Sequence, residues 1–304
     1  MRLLVVTAVA VERDSAATGL AARFRDAPEE EALPGRRSLL VLRDGRHRAD
    51  LLAAGVGPAA AAAGTSAALT AAELAGHPYD LVVASGIAGG FLPVAPLGSV
   101  VVADEIVAAD LGAQTPPARV PPPQAPPPAA RTGAPAPAPD SPDAPDALNT
   151  PDLPAPSPEA AVPVPPVPGP PAEPLPGPGF VPVSELGFGT SSHVPPPGLR
   201  AAVAGALGAV CGPVLTVSTV TGTAERAAEL AARHPGAAAE GMEGFGVAEA
   251  AAAHGVPVLE VRAVSNPVGP RDRAAWRIGD ALTALSGAFG GLSSVLDSLE
   301  APAP

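Results

Sequence analysis

Four short stretches of the chain carry side chains able to move protons or hold a polar ligand. The first is Glu12, in TAVAVERD. The second is SGIAGGF, residues 85–91, whose glycines let a ligand approach the backbone closely. The third, Glu240-Gly241-Met242-Glu243, sets two carboxylates around a thioether. The fourth, Val264-Ser265-Asn266-Pro267, is a polar pair before a rigid turn, followed by Gly269, Arg271 and Asp272. An ionised carboxylate can deprotonate water, and an amide both donates and accepts hydrogen bonds. Taken singly, each stretch also has a structural reading as a turn, a helix cap or a solvated charge.

Chemistry at these places needs elements that bring them together. Strand and helix signals alternate in both halves, the pattern of an α/β fold. Residues 3–9 read as a first strand and 15–24 as a helix. Residues 38–43 and 48–54 are β-rich around the turn signal Asp44-Gly45. Pro58 opens an Ala-rich helix, where a first-turn proline is favourable. Residues 80–85 and 99–107 are strands. Later, 214–220 reads as a strand and 223–234 as a helix; 237–242, 245–254 and 258–265 follow as strand, helix, strand. A long helix runs from 273 to 299. The four stretches then fall at strand ends, where α/β sheets gather their ligands.

Between the halves, 26 of the chain's 43 prolines crowd into residues 116–178. That stretch has no apolar periodicity and almost no aromatic or β-branched anchors, so it cannot bury enough surface to offset chain entropy. It is expected to be a polyproline-like disordered insert, residues 115–179, in one domain whose folded parts are 1–114 and 180–304. Closing a long loop instead of a short one costs only about 2 kcal/mol, so a domain tolerates it.

Composition removes several classes of function. The chain has 18 basic residues, all arginine, against 30 acidic ones, a net charge of −12. Nucleic acids and anionic membranes need a clustered basic surface, so neither is expected as a partner. Cys211 is the single cysteine, which excludes a disulfide-stapled secreted scaffold and makes the cytoplasm the expected compartment. The five histidines show no paired spacing, so no metal is expected. The N-terminal run resembles a minimal signal peptide, but its single arginine and short apolar core fit a first strand better. The uncharged stretches 51–72 and 201–224 are broken by Gly-Pro pairs, so they read as ordinary helices and strands, not spans.

Together the stretches resemble the purine nucleoside phosphorylase and nucleosidase superfamily, and within it the futalosine hydrolases. Glu12 after the first strand resembles the N-terminus of methylthioadenosine/adenosylhomocysteine nucleosidases. Gly55-Val56-Gly57 resembles their second glycine motif, and Gly86-Ile87-Ala88-Gly89-Gly90 their ligand loop. Met242-Glu243 resembles their ribose-binding pair, and Arg262-Ala263-Val264-Ser265 the strand leading to the base-binding residue. The resemblance implies a three-layer nucleoside phosphorylase-like α/β fold, a central mixed twisted sheet flanked by helices. It also implies a homo-oligomer, no cofactor, a small-molecule nucleoside substrate, and a place in menaquinone biosynthesis.

The implied reaction is hydrolysis of a purine N-glycosidic bond through a ribosyl oxocarbenium ion, releasing hypoxanthine and dehypoxanthine futalosine. Such a site must stabilise charge of both signs and hold a water below the anomeric carbon. The resemblance assigns Glu12 to that water. Glu243 would bind the ribose hydroxyls, with Met242 against the sugar. Gly86, Ile87, Ala88, Gly89 and Ser265 would line the substrate. Where the nucleosidases carry an Asp that protonates purine N7, this chain has Asn266, which cannot act as an acid. Its amide can donate to O6 of a 6-oxopurine and accept from N7 once N7 is protonated, which favours hypoxanthine as leaving group. The N7 proton is then expected from water or Asp272. Arg271 or Arg273 is either a partner for the carboxylated tail of futalosine or a surface arginine at a helix start, and Phe180, Phe188 and Phe245 either stack on the base or line the tail pocket or pack in the core. Trp276 either joins that pocket or anchors the last helix.

Three rivals stay open. A phosphorylase would need a phosphate pocket, to which Arg13 or Arg48 could contribute. A methylthioadenosine/adenosylhomocysteine nucleosidase is disfavoured by Asn266. An interaction protein would use the Pro-rich segment on SH3-like grooves.

Overall fold

The computed structural model describes residues 1–24, 26–115 and 179–299. Met1–Thr115 and Phe180–Pro304 make up one unit. The expected disordered insert lies, over residues 116–178, outside the described residues. In chain order the elements are β1 Arg2–Thr7, α1 Ala10–Leu20, β2 Glu29–Leu33, β3 Arg37–Arg43, β4 Arg48–Ala53, α2 Pro58–Leu74, β5 Leu81–Gly90, β6 Val100–Ala108 and β7 Gly112–Gln114. After the proline-rich segment come β8 Phe180–Pro182, β9 Ser192–His193, α3 Pro197–Leu207, β10 Val210–Thr216, α4 Ala224–Arg233, β11 Ala239–Gly241, α5 Gly244–Ala253 and β12 Val258–Pro267. A 3₁₀ turn at Arg273–Ala275 and α6 Ile278–Leu299 complete the chain.

The main sheet runs β11-β10-β6-β12-β5-β1-β4-β3-β2, with β9 pairing β6. Its centre, β12-β5-β1-β4, is parallel. β6 runs antiparallel to β12, and β4-β3-β2 is an antiparallel meander at one edge. Helices α2 and α5 cover one face, through Ala61, Ala68, Leu69, Val247 and Ala251. Helices α1, α3 and α6 cover the other, through Ala16, Leu20, Val203, Leu285 and Phe289. This is the expected three-layer arrangement around a mixed sheet. Small side chains let the layers approach closely: Gly246 of α5 lies directly against the Pro58 carbonyl of α2. Among the described residues no helix is long and apolar enough to cross a membrane.

Several boundaries differ from expectation for identifiable reasons. Helix α1 starts at Ala10, not at residue 15, because Glu12 reaches back to accept from the N–H of the N-cap, Val9, and of Ala8 before it. SGIAGG is not a loop but the second half of β5. Pairing to β12 on one side and β11 on the other overrides the weak strand propensity of glycine. β10 begins at Val210 and ends at Thr216, since a bulge between Gly212 and Val214 accommodates Pro213 within the strand. The charged β2 went unread because its Glu29-Glu30-Glu31 run suits only a sheet edge.

Candidate active site

At the C-terminal end of the parallel strands a cavity of about 430 Å³ opens. It is lined by Ala8, Val9, Glu12, Val56, Ile87, Ala88, Gly89, Val220, Glu240, Gly241, Met242, Glu243, Ser265, Asn266, Arg273 and Trp276. Glu12 is placed by the start of α1. Val9, at the N-cap, has no polar side chain to offer, so Glu12 three residues on performs the capping. Its Oε2 accepts from the backbone N–H groups of Ala8 (3.2 Å) and Val9 (3.3 Å). Its Oε1 accepts from Ile87 N–H of β5 at 2.9 Å. The carboxylate is 5% exposed. Burial pushes its pKa up from the ordinary value, more than the Ile87 hydrogen bond and the Arg262 charge pull it down, and Glu243 adds to the rise.

Glu243 reaches the same cavity from the other half of the chain. It is the N-cap of α5; its Oε1 accepts from Gly57 N–H at 3.2 Å, at the N-cap of α2, and its Oε2 from Met242 N–H at 3.3 Å. Three helix N-termini, those of α1, α2 and α5, thus converge on two buried carboxylates, an arrangement that favours negative charge there.

Arg262 ties the two together, and it was read from the sequence only as part of a strand. Its side chain is 1% exposed. Nε donates to Glu260 Oε1 at 2.7 Å and Nη1 to Glu243 Oε2 at 3.4 Å. Burial alone would lower its pKa, but Glu260 and Glu243 outweigh that and raise it, so the guanidinium stays charged. The approach to Glu12 depends on Gly86, whose φ of 152° and missing side chain leave room: a Cβ there would lie 2.7 Å from Glu12 Oε1 and 2.9 Å from Arg262 Nη1. Gly86 therefore packs beneath the carboxylate and does not face the cavity.

On the opposite side of Ala88-Gly89, Ser265 Oγ lies 2.9 Å from Asn266 Oδ1 and 3.2 Å from the Ala88 carbonyl. Asn266 Nδ2 donates to the Pro267 carbonyl at 3.0 Å. Glu240, 6% exposed, accepts from Thr221 through both oxygens, and its burial raises its pKa.

Of the predicted site residues, Glu12, Ile87, Ala88, Gly89, Met242, Glu243, Ser265 and Asn266 line this one cavity. Phe180, Asp272 and Arg271 do not. Phe180 belongs to β8, with the Arg233 guanidinium 4.1 Å from its ring centroid. Asp272 caps the 3₁₀ turn by accepting from Ala274 N–H at 3.1 Å and is exposed. Arg271 is exposed, 5.9 Å from the ring centroid of Trp276, while Arg273 and Trp276 themselves reach the cavity. Phe245 is a core residue and Phe188 is 82% exposed. Arg13 pairs with Asp14, and Arg48 with Asp50 and Glu31, all away from the lining.

Comparison with known proteins agrees with this geometry. The family model described as the phosphorylase superfamily matches residues 3–148 and 173–292. The chain is 53% identical over 298 residues to the futalosine hydrolase of Streptomyces coelicolor, covering 98% of this chain and 97% of that protein. It is 36% identical to the futalosine hydrolase of Acidothermus cellulolyticus over 299 residues, 97% and 91% of the two. A solved 5'-methylthioadenosine/S-adenosylhomocysteine nucleosidase from Colwellia psychrerythraea, in complex with adenine, shares the fold. Its TM-score is 0.65 at 17% identity, covering 98% of this chain and 96% of that one. The chain therefore belongs to the phosphorylase superfamily and, within it, to the futalosine hydrolases.

Proposed function

We propose that this protein hydrolyses the N-glycosidic bond of futalosine, releasing hypoxanthine, and so serves the menaquinone route that passes through that nucleoside. The observation that carries the reading is the meeting of Glu12 and Glu243, 231 positions apart in the chain, at one cavity with the buried Arg262 beside them. Glu12, held by three backbone N–H groups and made more basic by burial, orients and deprotonates the attacking water. Glu243 accepts from the ribose hydroxyls, and its charge suits the oxocarbenium ion. Met242 packs against the sugar. Arg262 keeps the two carboxylates from repelling each other by holding a permanent positive charge between them.

A phosphorylase is less well supported. Arg13 and Arg48, which could have formed a phosphate pocket, are engaged elsewhere, and the carboxylates around Arg262 oppose a second anion. The implied homo-oligomer belongs to the same proposal: Val9, Val56 and Val220 line the cavity and stay 40–59% exposed, as apolar side chains at a subunit boundary would. So does a cytoplasmic location. The test is chromatography of the products after incubation with futalosine, inosine and methylthioadenosine in parallel. Free sugar product and hypoxanthine from futalosine in phosphate-free buffer are expected. A sugar phosphate formed only when phosphate is supplied, or preferential cleavage of methylthioadenosine, would overturn the reading.

A further inference from the structure

Glu260 is 0% exposed, is not among the residues that line the cavity, and has no part in the mechanism above. Its strand is buried along almost its whole length, where an apolar side chain would cost nothing and an ionised carboxylate is expensive to desolvate. The fold nevertheless makes room for it. A side chain on Gly244, at the start of α5, would collide with the Glu260 carboxylate, and one on Gly86 of β5 or Gly241 of β11 would crowd the Arg262 guanidinium that Glu260 holds.

That guanidinium is shared unequally. Nε donates to Glu260 Oε1 at 2.7 Å, an ordinary length for a charge-assisted hydrogen bond, while Nη1 reaches Glu243 Oε2 only at 3.4 Å. Nη2 lies against Gly241 and makes no hydrogen bond among the described residues. Each carboxylate therefore meets one tooth of the fork. An arginine with a single carboxylate to itself tends to close two teeth on it. Without Glu260, that carboxylate would be Glu243. Its two oxygens already accept from Gly57 N–H at 3.2 Å and Met242 N–H at 3.3 Å, so a bidentate guanidinium would take the lone pairs that ribose hydroxyls need.

We propose that Glu260 is a positioning residue: it holds Arg262 by Nε and so keeps Glu243 free to accept from the ribose hydroxyls. The proposal rests on the nucleosidase reading of the cavity. It accounts for a third carboxylate buried beside one arginine that Glu12 and Glu243 already face. Glu260 acts through Arg262 and not on the substrate. The same competition reaches Glu12, whose charged neighbours are Arg262 of β12 and Glu243 at the N-cap of α5. With the Glu260 charge removed, Arg262 moves onto Glu243 and cancels more of the repulsion that Glu243 exerts on Glu12. The ionised form of Glu12 then becomes easier to reach.

The experiment compares wild type and Glu260→Gln on futalosine and on its 2′-deoxy analogue. Gln keeps the size and an acceptor for Nε but not the charge. The ratio of kcat/KM for the ribo over the deoxy substrate is expected to fall by about 10-fold, the worth of a hydrogen bond to a charged group. The acid limb of kcat/KM is expected to move to lower pH. A residue that only stabilises the fold would lower both activities together and leave the limb in place, so an unmoved ratio or an unmoved limb overturns the proposal. A second measurement needs no variant: a crystal structure of wild type with a C-nucleoside analogue of futalosine, whose bond to the base cannot be hydrolysed. Glu260 should keep Arg262 Nε there while Glu243 turns to the ribose hydroxyls. Arg262 closed bidentately on Glu243 overturns the proposal. A wild type inactive on futalosine removes the nucleosidase reading and this proposal with it; an active wild type with an unmoved ratio removes the proposal alone.

Discussion

Glu12 is asked to do two things that pull in opposite directions. As the cap of α1 it must accept backbone hydrogen bonds, which favour the charged form. As a buried carboxylate beside Glu243 it is pushed toward the neutral one, and the push prevails. Only the ionised form can take a proton from water. The acid limb of kcat/KM should therefore have its midpoint above the ordinary glutamate value of 4.5, with activity present above that midpoint and lost as the pH falls through it. A pH profile with the limb at or below the ordinary value would contradict this. Glu12→Gln should lower kcat by about 10²–10⁴-fold and abolish the limb in whatever activity remains, with circular dichroism confirming the fold. That Glu12, Glu243 and Asn266 belong to one cavity was legible because their neighbours form recognisable short motifs. Asp272 and Arg271 were candidates because they follow Asn266 closely, and Phe180 because aromatics are few in this chain. A local cap, an exposed turn and a stacked arginine took those side chains elsewhere, and such contacts leave no trace in spacing.

At the scale of elements, β12 does the most to build the site. Glu260 and Arg262 are two residues apart, so they share one face of the strand, while Asn266 stands past the register shift where β12 leaves its regular pairing with β5. Apolar neighbours made this segment easy to read as a strand, and that same reading hid Arg262: a charge inside a buried strand is visible in the sequence, but beyond Glu260 on the same strand its partners are distant, Glu243 at the N-cap of α5 and the charge of Glu12 on α1. The Glu260 carboxylate lies against Gly244, at the first turn of α5, and is 0% exposed. Breaking this pair should be expensive. Arg262→Met leaves Glu260 and Glu243 without their shared countercharge and should destabilise the protein by about 3–5 kcal/mol in urea denaturation. Pairing it with Glu260→Leu should recover most of that loss, since a buried ion pair is often replaceable by apolar packing, while activity stays absent. If the double variant were as unstable as the single one, the pair would be stabilising the fold in its own right. The glycine-rich half of β5 was misjudged for the complementary reason, that pairing on both sides is a tertiary fact.

At the scale of the whole molecule, β7 and β8 decide how the proline-rich segment is attached. Gln114 of β7 pairs directly with Phe180 of β8, and Gly112 with Pro182, in a two-stranded antiparallel ribbon apart from the main sheet. The folded unit thus releases the chain and takes it back at one point, a property the proline count alone could not supply. Composition predicts a segment that does not pack, and on that expectation its removal should relieve loop-closure entropy without touching the cavity. Joining Gln114 to Phe180 through Asn-Gly, the two-residue turn suited to an antiparallel hairpin, should leave kcat/KM on futalosine within about 3-fold of the full chain. The midpoint of denaturation should rise by an amount equivalent to about 2–3 kcal/mol, the closure term for exchanging a loop of more than sixty residues for one of two to six. Loss of activity with the fold retained would mean that the segment reaches the site. Loss of stability would mean that it packs on the domain. Unchanged activity beside the loss of a binding partner would favour an interaction role on grooves that accept polyproline helices. Kinetics, denaturation and partner binding therefore report separately, and one shortened chain discriminates among a passive tether, a structural element and a docking arm.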